Sequence, residues 1–194
     1  ALAGAPEGDP RVQQEIVEAA RQYLGTVGSI TAGIRSAIKN ANAYLYERNV
    51  KAEGEQRCIA GISVMVLKDR DAYVGQLGPA LAYQVGTAAV RRLPVDSGWL
   101  SSESLEDIDP KLNPPLGMRR EVEPDLFHLR LEQGDILLLA STMLSRVATE
   151  DSLSKTVRGK DATTAKDDLL RLCKGSDLSV LVVKVTGVGD ASTA

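Results

Sequence analysis

Tyr73-Val74-Gly75-Gln76-Leu77-Gly78-Pro79-Ala80-Leu81-Ala82-Tyr83 is an apolar stretch interrupted by one glycine–proline step. Its two halves read as short strands with a tight turn at Gly78-Pro79, because glycine frees the backbone there and proline presets φ. Outward from it, Cys58 to Leu67, Asp71 to Leu77, Ala80 to Val85 and Ala88 to Leu93 are runs of the same kind. Asp69-Arg70-Asp71 and Gly86-Thr87 punctuate them, so an antiparallel meander is expected. Leu126 to Leu131 and Ile136 to Ala140 predict another strand pair, turned at Gln133-Gly134-Asp135. Ile136 to Ala140 is apolar on both faces, as in a central strand. Ser179 to Val185 predicts a final β-branched strand.

Helices flank this β-rich middle. Asp9-Pro10 offers an N-cap and a first-turn proline, and Val12, Ile16, Ala19, Ala20 and Tyr23 follow at helical spacing up to Gly25. A second helix runs from near Ser29 to about Arg48, with Ile30, Ile34, Ala37, Ile38, Ala41 and Leu45 on one face. A helical region is expected from Met143 to Thr156. Asp161 caps a further helix that turns Ala162, Ala165, Leu169, Leu172 and Cys173 inward. The order helices, strands, helices, strand predicts an α+β fold: two antiparallel sheets packed together with helices outside. One domain is expected over residues 1–194, with a long proline-rich loop at 94–125 and a frayed tail at 187–194. The apolar Trp99, Leu100, Leu105, Leu112, Leu116 and Met118 are expected to tuck beneath that loop, the other reading being partner contacts.

Bulk composition excludes several classes. The chain has 194 residues, a formal net charge of −3 and no basic run longer than Arg91-Arg92 or Arg119-Arg120. It therefore lacks the basic stripe of a nucleic-acid binder. No apolar run approaches the roughly 20 residues of a membrane span, and the first ten residues do not read as a signal peptide. Cys58 and Cys173 stand apart without metal or redox spacing, which predicts two buried free thiols and a cytoplasmic setting. His128 is the one histidine, and no nucleophile elbow accompanies it, so a solvent-side or hydrogen-bonded strand histidine is expected. Gly175-Ser176-Asp177 and Gly187-Val188-Gly189-Asp190 lack the lysine and hydroxyl offsets of a phosphate loop. The acids Glu103, Glu106, Asp107 and Asp109 read as a solvated cluster.

Five pieces in order carry a resemblance. They are Asn40-Ala41-Asn42, Ala60-Gly61-Ile62-Ser63, the Gly78 to Tyr83 step, Leu131-Glu132-Gln133-Gly134-Asp135 running into Ile136 to Ser141, and Val180 to Val183. Together they resemble the metal-dependent type 2C (PPM-type) protein phosphatases over most of the chain. The resemblance implies a four-layer αββα sandwich. In that family the Gly78 step reads Gly-Asp-Ser-Arg-x-Tyr. Here Gly78 and Tyr83 match, while Pro79, Ala80 and Leu81 stand in the Asp, Ser and Arg positions.

Active members hold two Mn²⁺ or Mg²⁺ ions on aspartates between the sheets, and a metal-bound water attacks phosphorus. The family's first two acidic stations precede the first helix; neither is recognised here, so the sheets are expected to lack the family's first strands. The third, Asp-Gly, aligns with Thr142 and Met143. The fourth aspartate aligns with Ser176, although a one-residue slip would offer Asp177 as a residual ligand. Hydroxyl and thioether groups are poor ligands for hard cations. The resemblance thus implies a pseudophosphatase: no catalytic residues, no metal cofactor, and a regulatory or protein-binding role with a protein partner or self-association. The alternative is an active Mn- or Mg-dependent serine/threonine phosphatase with nonstandard or upstream ligands. A small-molecule binder with a pocket between helix and sheet is a third possibility.

Overall fold

A computed structural model describes residues 2–4, 10–22, 24, 28–52, 57–101 and 114–187. The expectations for Asp9, Tyr23, Gly25, the acids 103–109, Leu105, Leu112 and the tail beyond 187 lie outside them. Eight strands form two four-stranded antiparallel sheets. The first has the order β1 (Leu2–Gly4), β2 (Gly61–Lys68), β3 (Asp71–Leu77), β6 (Asp125–Arg130). The second has the order β5 (Val90–Leu93), β4 (Ala80–Val85), β7 (Ile136–Ser141), β8 (Val180–Lys184).

Three apolar layers hold the sandwich. Helices α1 (Pro10–Arg21) and α2 (Ile30–Lys51) bury Ile16, Ile34, Ile38 and Leu45 against Ile62 and Val64 on the first sheet. Between the sheets lie Ala72, Val74, Ala82, Leu129, Leu137 and Leu139. Helices α4 (Met143–Val147), α5 (Glu150–Val157) and α6 (Ala162–Leu172) bury Leu144, Leu153, Val157 and Leu169 against Leu81, Tyr83 and Leu138 on the second sheet. A short α3 (Gly98–Ser101) follows β5. The predicted αββα order holds. Ile136 to Ala140 is central and buried on both faces, because a strand between two packed layers must be apolar on each side.

Local signals account for most boundaries. Ser29 caps α2 by accepting from Ala32 N at 3.2 Å, and Asp161 caps α6 by accepting from Thr164 N at 2.9 Å. That cap, led by the Thr164 hydroxyl, holds the Asp161 carboxyl below its usual range.

The strand pairing differs from the meander. β3 does not pair with β4: β3 is already bonded on both edges, to β2 and β6, and β4 to β5 and β7. The Gly78-Pro79 step therefore carries the chain from one sheet to the other. β6 and β7 are likewise in opposite sheets, joined by a crossing at Gly134 with φ 95°. Periodicity along a strand reports which faces are buried, but not which neighbour fills its hydrogen-bonding edge.

Smaller departures have local causes. The helical region from Met143 to Thr156 is two helices, because the chain turns extended at Ala148, which ends the first, and Thr149 caps the second through Ser152 N at 3.2 Å. Leu172 is exposed, while Ala165, Leu169 and Cys173 form the inner line at fourfold spacing. Cys58 is half-buried. Of the loop's apolar residues, Trp99 and Leu116 are buried and Met118 is exposed. β1 was not anticipated; it pairs with Gly61 to Ser63 and covers part of the β2 edge.

Candidate functional site

All eight strands bring an end to the same side of the sandwich, β1 through the pairing of Gly4 with Gly61. In the first sheet Ile62 pairs with Leu77 and Gln76 with Asp125. In the second Ala82 pairs with Leu93, Ala80 with Ser141 and Ala140 with Val180. The crossing at Gly78-Pro79 joins the two sheets there, so Pro79, Ala80 and the Thr142 start of α4 share one edge. Ser141 N donates to Ser179 O at 3.0 Å, which draws the segment after α6 against the end of β7.

This edge is tightly packed. Gly78 has φ 71°, and the Ala80 amide donates back to its carbonyl at 2.8 Å. A Cβ at Gly61 would come within 2.4 Å of Pro79 O, so β2 and the crossing touch backbone to backbone. Just inside, Gln76 is a buried bridge between the sheets. With its amide assigned the orientation that satisfies both ends, the nitrogen donates to Leu93 O at 3.0 Å, and the oxygen accepts from Ala82 N at 3.0 Å and Ser63 Oγ at 3.1 Å. Sequence reading missed Gln76; a polar residue at an inward position of an apolar strand was the available signal.

The site residues fall as follows. Pro79, Ala80 and Leu81 are buried and carry no ligating side-chain atom. Thr142 and Met143 are half-buried at the start of α4, and the Thr142 carbonyl accepts from Ser145 Oγ at 2.8 Å. Ser176 is half-buried beyond Gly175, whose φ of 90° closes α6. Asp177 is exposed. A cavity of about 70 Å³ opens beside Gly78 and Ala80, lined also by Gln76, Pro94, Glu123 and Asp125. Partial burial beside it raises the Asp125 carboxyl.

Glu123 is engaged elsewhere. Arg35 Nε lies 2.5 Å and Lys39 Nζ 2.6 Å from its two oxygens. The Lys39 ammonium, with Arg35 beside it, holds its carboxyl below the usual range.

A dinuclear Mg²⁺ or Mn²⁺ centre requires several anionic oxygens around a shared point. Hydroxyls at Thr142 and Ser176, a thioether at Met143 and hydrocarbon at Pro79, Ala80 and Leu81 do not supply them. Among the described residues no three His, Cys, Asp or Glu side chains converge on a metal position. The donor set does not fit the group that the resemblance implies.

His128 is on the outer face of the first sheet, stacked on Tyr73 at 5.0 Å between centroids and bonded through Nε2 to Asp71 Oδ1 at 2.8 Å. That hydrogen bond, followed by those from Arg130, lowers the Asp71 carboxyl. Asp135 is 2% exposed; its carboxylate accepts from Gln84 Nε2 at 2.7 Å and Glu132 N at 3.0 Å. It closes the second crossing, at the opposite end of the sandwich. No helix is long and apolar enough to cross a membrane among the described residues.

Comparison with solved structures places this architecture. A bacterial serine phosphatase superposes with a TM-score of 0.76 at 15% identity, over 95% of this chain and 85% of that one. The catalytic domain of the serine threonine protein phosphatase PstP, in complex with 2 manganese ions, gives 0.72 at 16% identity over 95% and 85%. PppA, a key regulatory component of T6SS in Pseudomonas aeruginosa, gives 0.71 at 16% identity over 94% and 83%. No family model matches the chain, and no curated protein matches it. At these identities the likeness establishes the fold, that of PPM-type phosphatase catalytic domains.

Proposed function

We infer that this protein is a catalytically inactive PPM-like domain, a pseudophosphatase with a regulatory or protein-binding role in the cytoplasm. The observation that carries the reading is the chemistry of one sandwich edge. Pro79, Ala80, Thr142 and Met143 stand there without a carboxylate, and Asp125 beside them joins no group of three metal-ligating side chains among the described residues. Without clustered anionic oxygens, a divalent cation gives up hydration without compensation. The structurally similar PppA is a regulatory component of T6SS, which agrees with a regulatory role here.

A protein partner or self-association is supported by the first sheet. β1 pairs with β2 only from Gly61 to Ser63, so among the described residues Val64 to Lys68 present an edge bonded on one side. An added strand would complete it.

The competing reading is an active Mn- or Mg-dependent phosphatase with nonstandard ligands. It draws on the exposed Asp177, two residues before Ser179, and on Asp125 beside the small cavity. Hydrolysis of an aryl phosphate with excess Mn²⁺ separates the two. No turnover above buffer is expected; metal-dependent turnover that Asp177→Ala abolishes would reverse the assignment.

A further inference from the structure

A groove of about 560 Å³ adjoins the packed edge, between α2 and residues 120–123. Its floor is rigid. Asn42, 1% exposed, donates to Arg119 O at 2.8 Å and Arg120 O at 3.2 Å, and accepts from Gly117 N at 3.0 Å. Asn49, two turns further along α2, donates to Gly117 O at 2.9 Å. These buried amides pin the segment that carries Arg120 and Glu123 to the helix that carries Arg35 and Lys39.

The charge on this face opposes that of the whole chain. The lining Lys39 and Arg120 balance Glu121 and Glu123, and Arg35, bonded to Glu123 from the same helix, tips the face positive in a protein of net charge −3. Arg120 makes no side-chain hydrogen bond or ion pair among the described residues. Glu123 already sits between Arg35 and Lys39, with one oxygen on each.

We propose that this groove binds a phosphorylated segment of a protein partner, with Glu123 as the internal acid that fills the Arg35–Lys39 clamp until a phosphoryl group displaces it. The clamp selects for phosphate over carboxylate. A partner's carboxylate would exchange like for like with Glu123, whose tether gives it a large effective concentration. A phosphoryl group brings up to about two charges and three acceptor oxygens, enough to engage Arg35, Lys39 and Arg120 together. The cavity beside Gly78, at about 70 Å³, is too small for a peptide. The inference rests on the pseudophosphatase reading for the kind of partner, but the binding it describes does not depend on catalysis.

The test is fluorescence anisotropy, in chelator and low salt, with a phosphoserine peptide of otherwise neutral sequence, its unphosphorylated twin and inorganic phosphate as competitor. The wild type should prefer the phosphopeptide by at least ~10-fold. Arg35→Ala with Lys39→Ala should remove the preference, and Glu123→Gln should tighten binding by roughly 5-fold through vacating the clamp. Circular dichroism melts check that each variant folds. Equal binding of the two peptides, unchanged or weaker binding by Glu123→Gln, or full competition by inorganic phosphate at matched concentration would each overturn the proposal. Phosphate release from the same peptide with Mn²⁺ would instead sink the inactive reading and leave the binding result standing.

Discussion

The chain crosses from the first sheet to the second twice, once at each end of the sandwich, and the two crossings are chemical opposites. Each has a glycine of positive φ, Gly78 at 71° and Gly134 at 95°. At Gly134 the next residue is a buried carboxylate, Asp135, held by Gln84 and the Glu132 amide. The turn is further tied to the end of β8, with Gly134 N on Val185 O at 2.8 Å and Val185 N on Asp135 O at 2.9 Å. At Gly78 the following side chains are hydrocarbon, and backbone contact with Gly61 fills the space. At the second crossing a carboxylate follows the glycine and satisfies the protein's own amides; at the first, Pro79, Ala80 and Leu81 follow it and carry no polar side-chain atom.

The sharpest way to break this contrast is to remove the carboxylate that folding uses. Asp135→Ala removes a buried carboxylate, leaving the Glu132 amide without its acceptor and Gln84 with Arg130 O alone, and should cost about 3 kcal/mol in urea unfolding. A loss under ~1 kcal/mol would show that the second crossing is no more structural than the first.

Tyr83, on β4 behind the first crossing, is 1% exposed, and burial raises its phenol to about 12. The folded state holds that proton after the unfolded chain has begun to release it near pH 10. Stability is therefore full below pH 10 and falls as pH rises toward 12, by about 2–3 kcal/mol in total. Tyr83→Phe should flatten that part of a stability–pH curve.

Gly61→Ala drives a methyl into Pro79 O and should cost about 2 kcal/mol. Gly134→Ala meets nothing within 4 Å but must keep a positive φ, so about 1 kcal/mol is expected. The reverse order in paired thermal melts would deny that the first crossing is held by packing. The smallest effect belongs to Asp177→Ala, within about 0.5 kcal/mol, because that residue is exposed. Excess Mn²⁺ should leave the melting temperature of wild type and Asp177→Ala alike. A metal-dependent rise confined to the wild type would make Asp177 a ligand.

Legibility in the sequence followed the range of each interaction. Ser29, Asp161 and the apolar faces of α1, α2 and α6 act within a few residues, so caps and periodicity revealed them. The apolar run Ile136 to Ala140 announced a doubly covered strand, and the structure places it there. Of the positions aligned by order and spacing, Pro79 and Thr142 lie next to Ala80 and Ser141, which pair at one edge. Other features act across long separations. Gln76 meets Leu93 and Ala82 in the opposite sheet, Asn42 reaches residues 117–120, and Glu123 pairs with Arg35 and Lys39. None of these pairings leaves a local pattern. Leu172 shows the opposite failure: a correct period was extended one residue beyond the face that is covered.

Side-chain character along the chain was enough to determine which segments are helix or strand, which faces are apolar, and that Pro79, Thr142 and Ser176 carry no carboxylate. These are properties of single residues and their near neighbours. Tertiary structure alone decided that β3 and β4 part into different sheets, that Gln76 bridges the layers, and that Glu123 closes a clamp on α2. Each of these depends on which distant edge or side chain arrives alongside. That is settled by mutual burial and hydrogen-bond satisfaction across the whole sandwich, not by any one stretch of it.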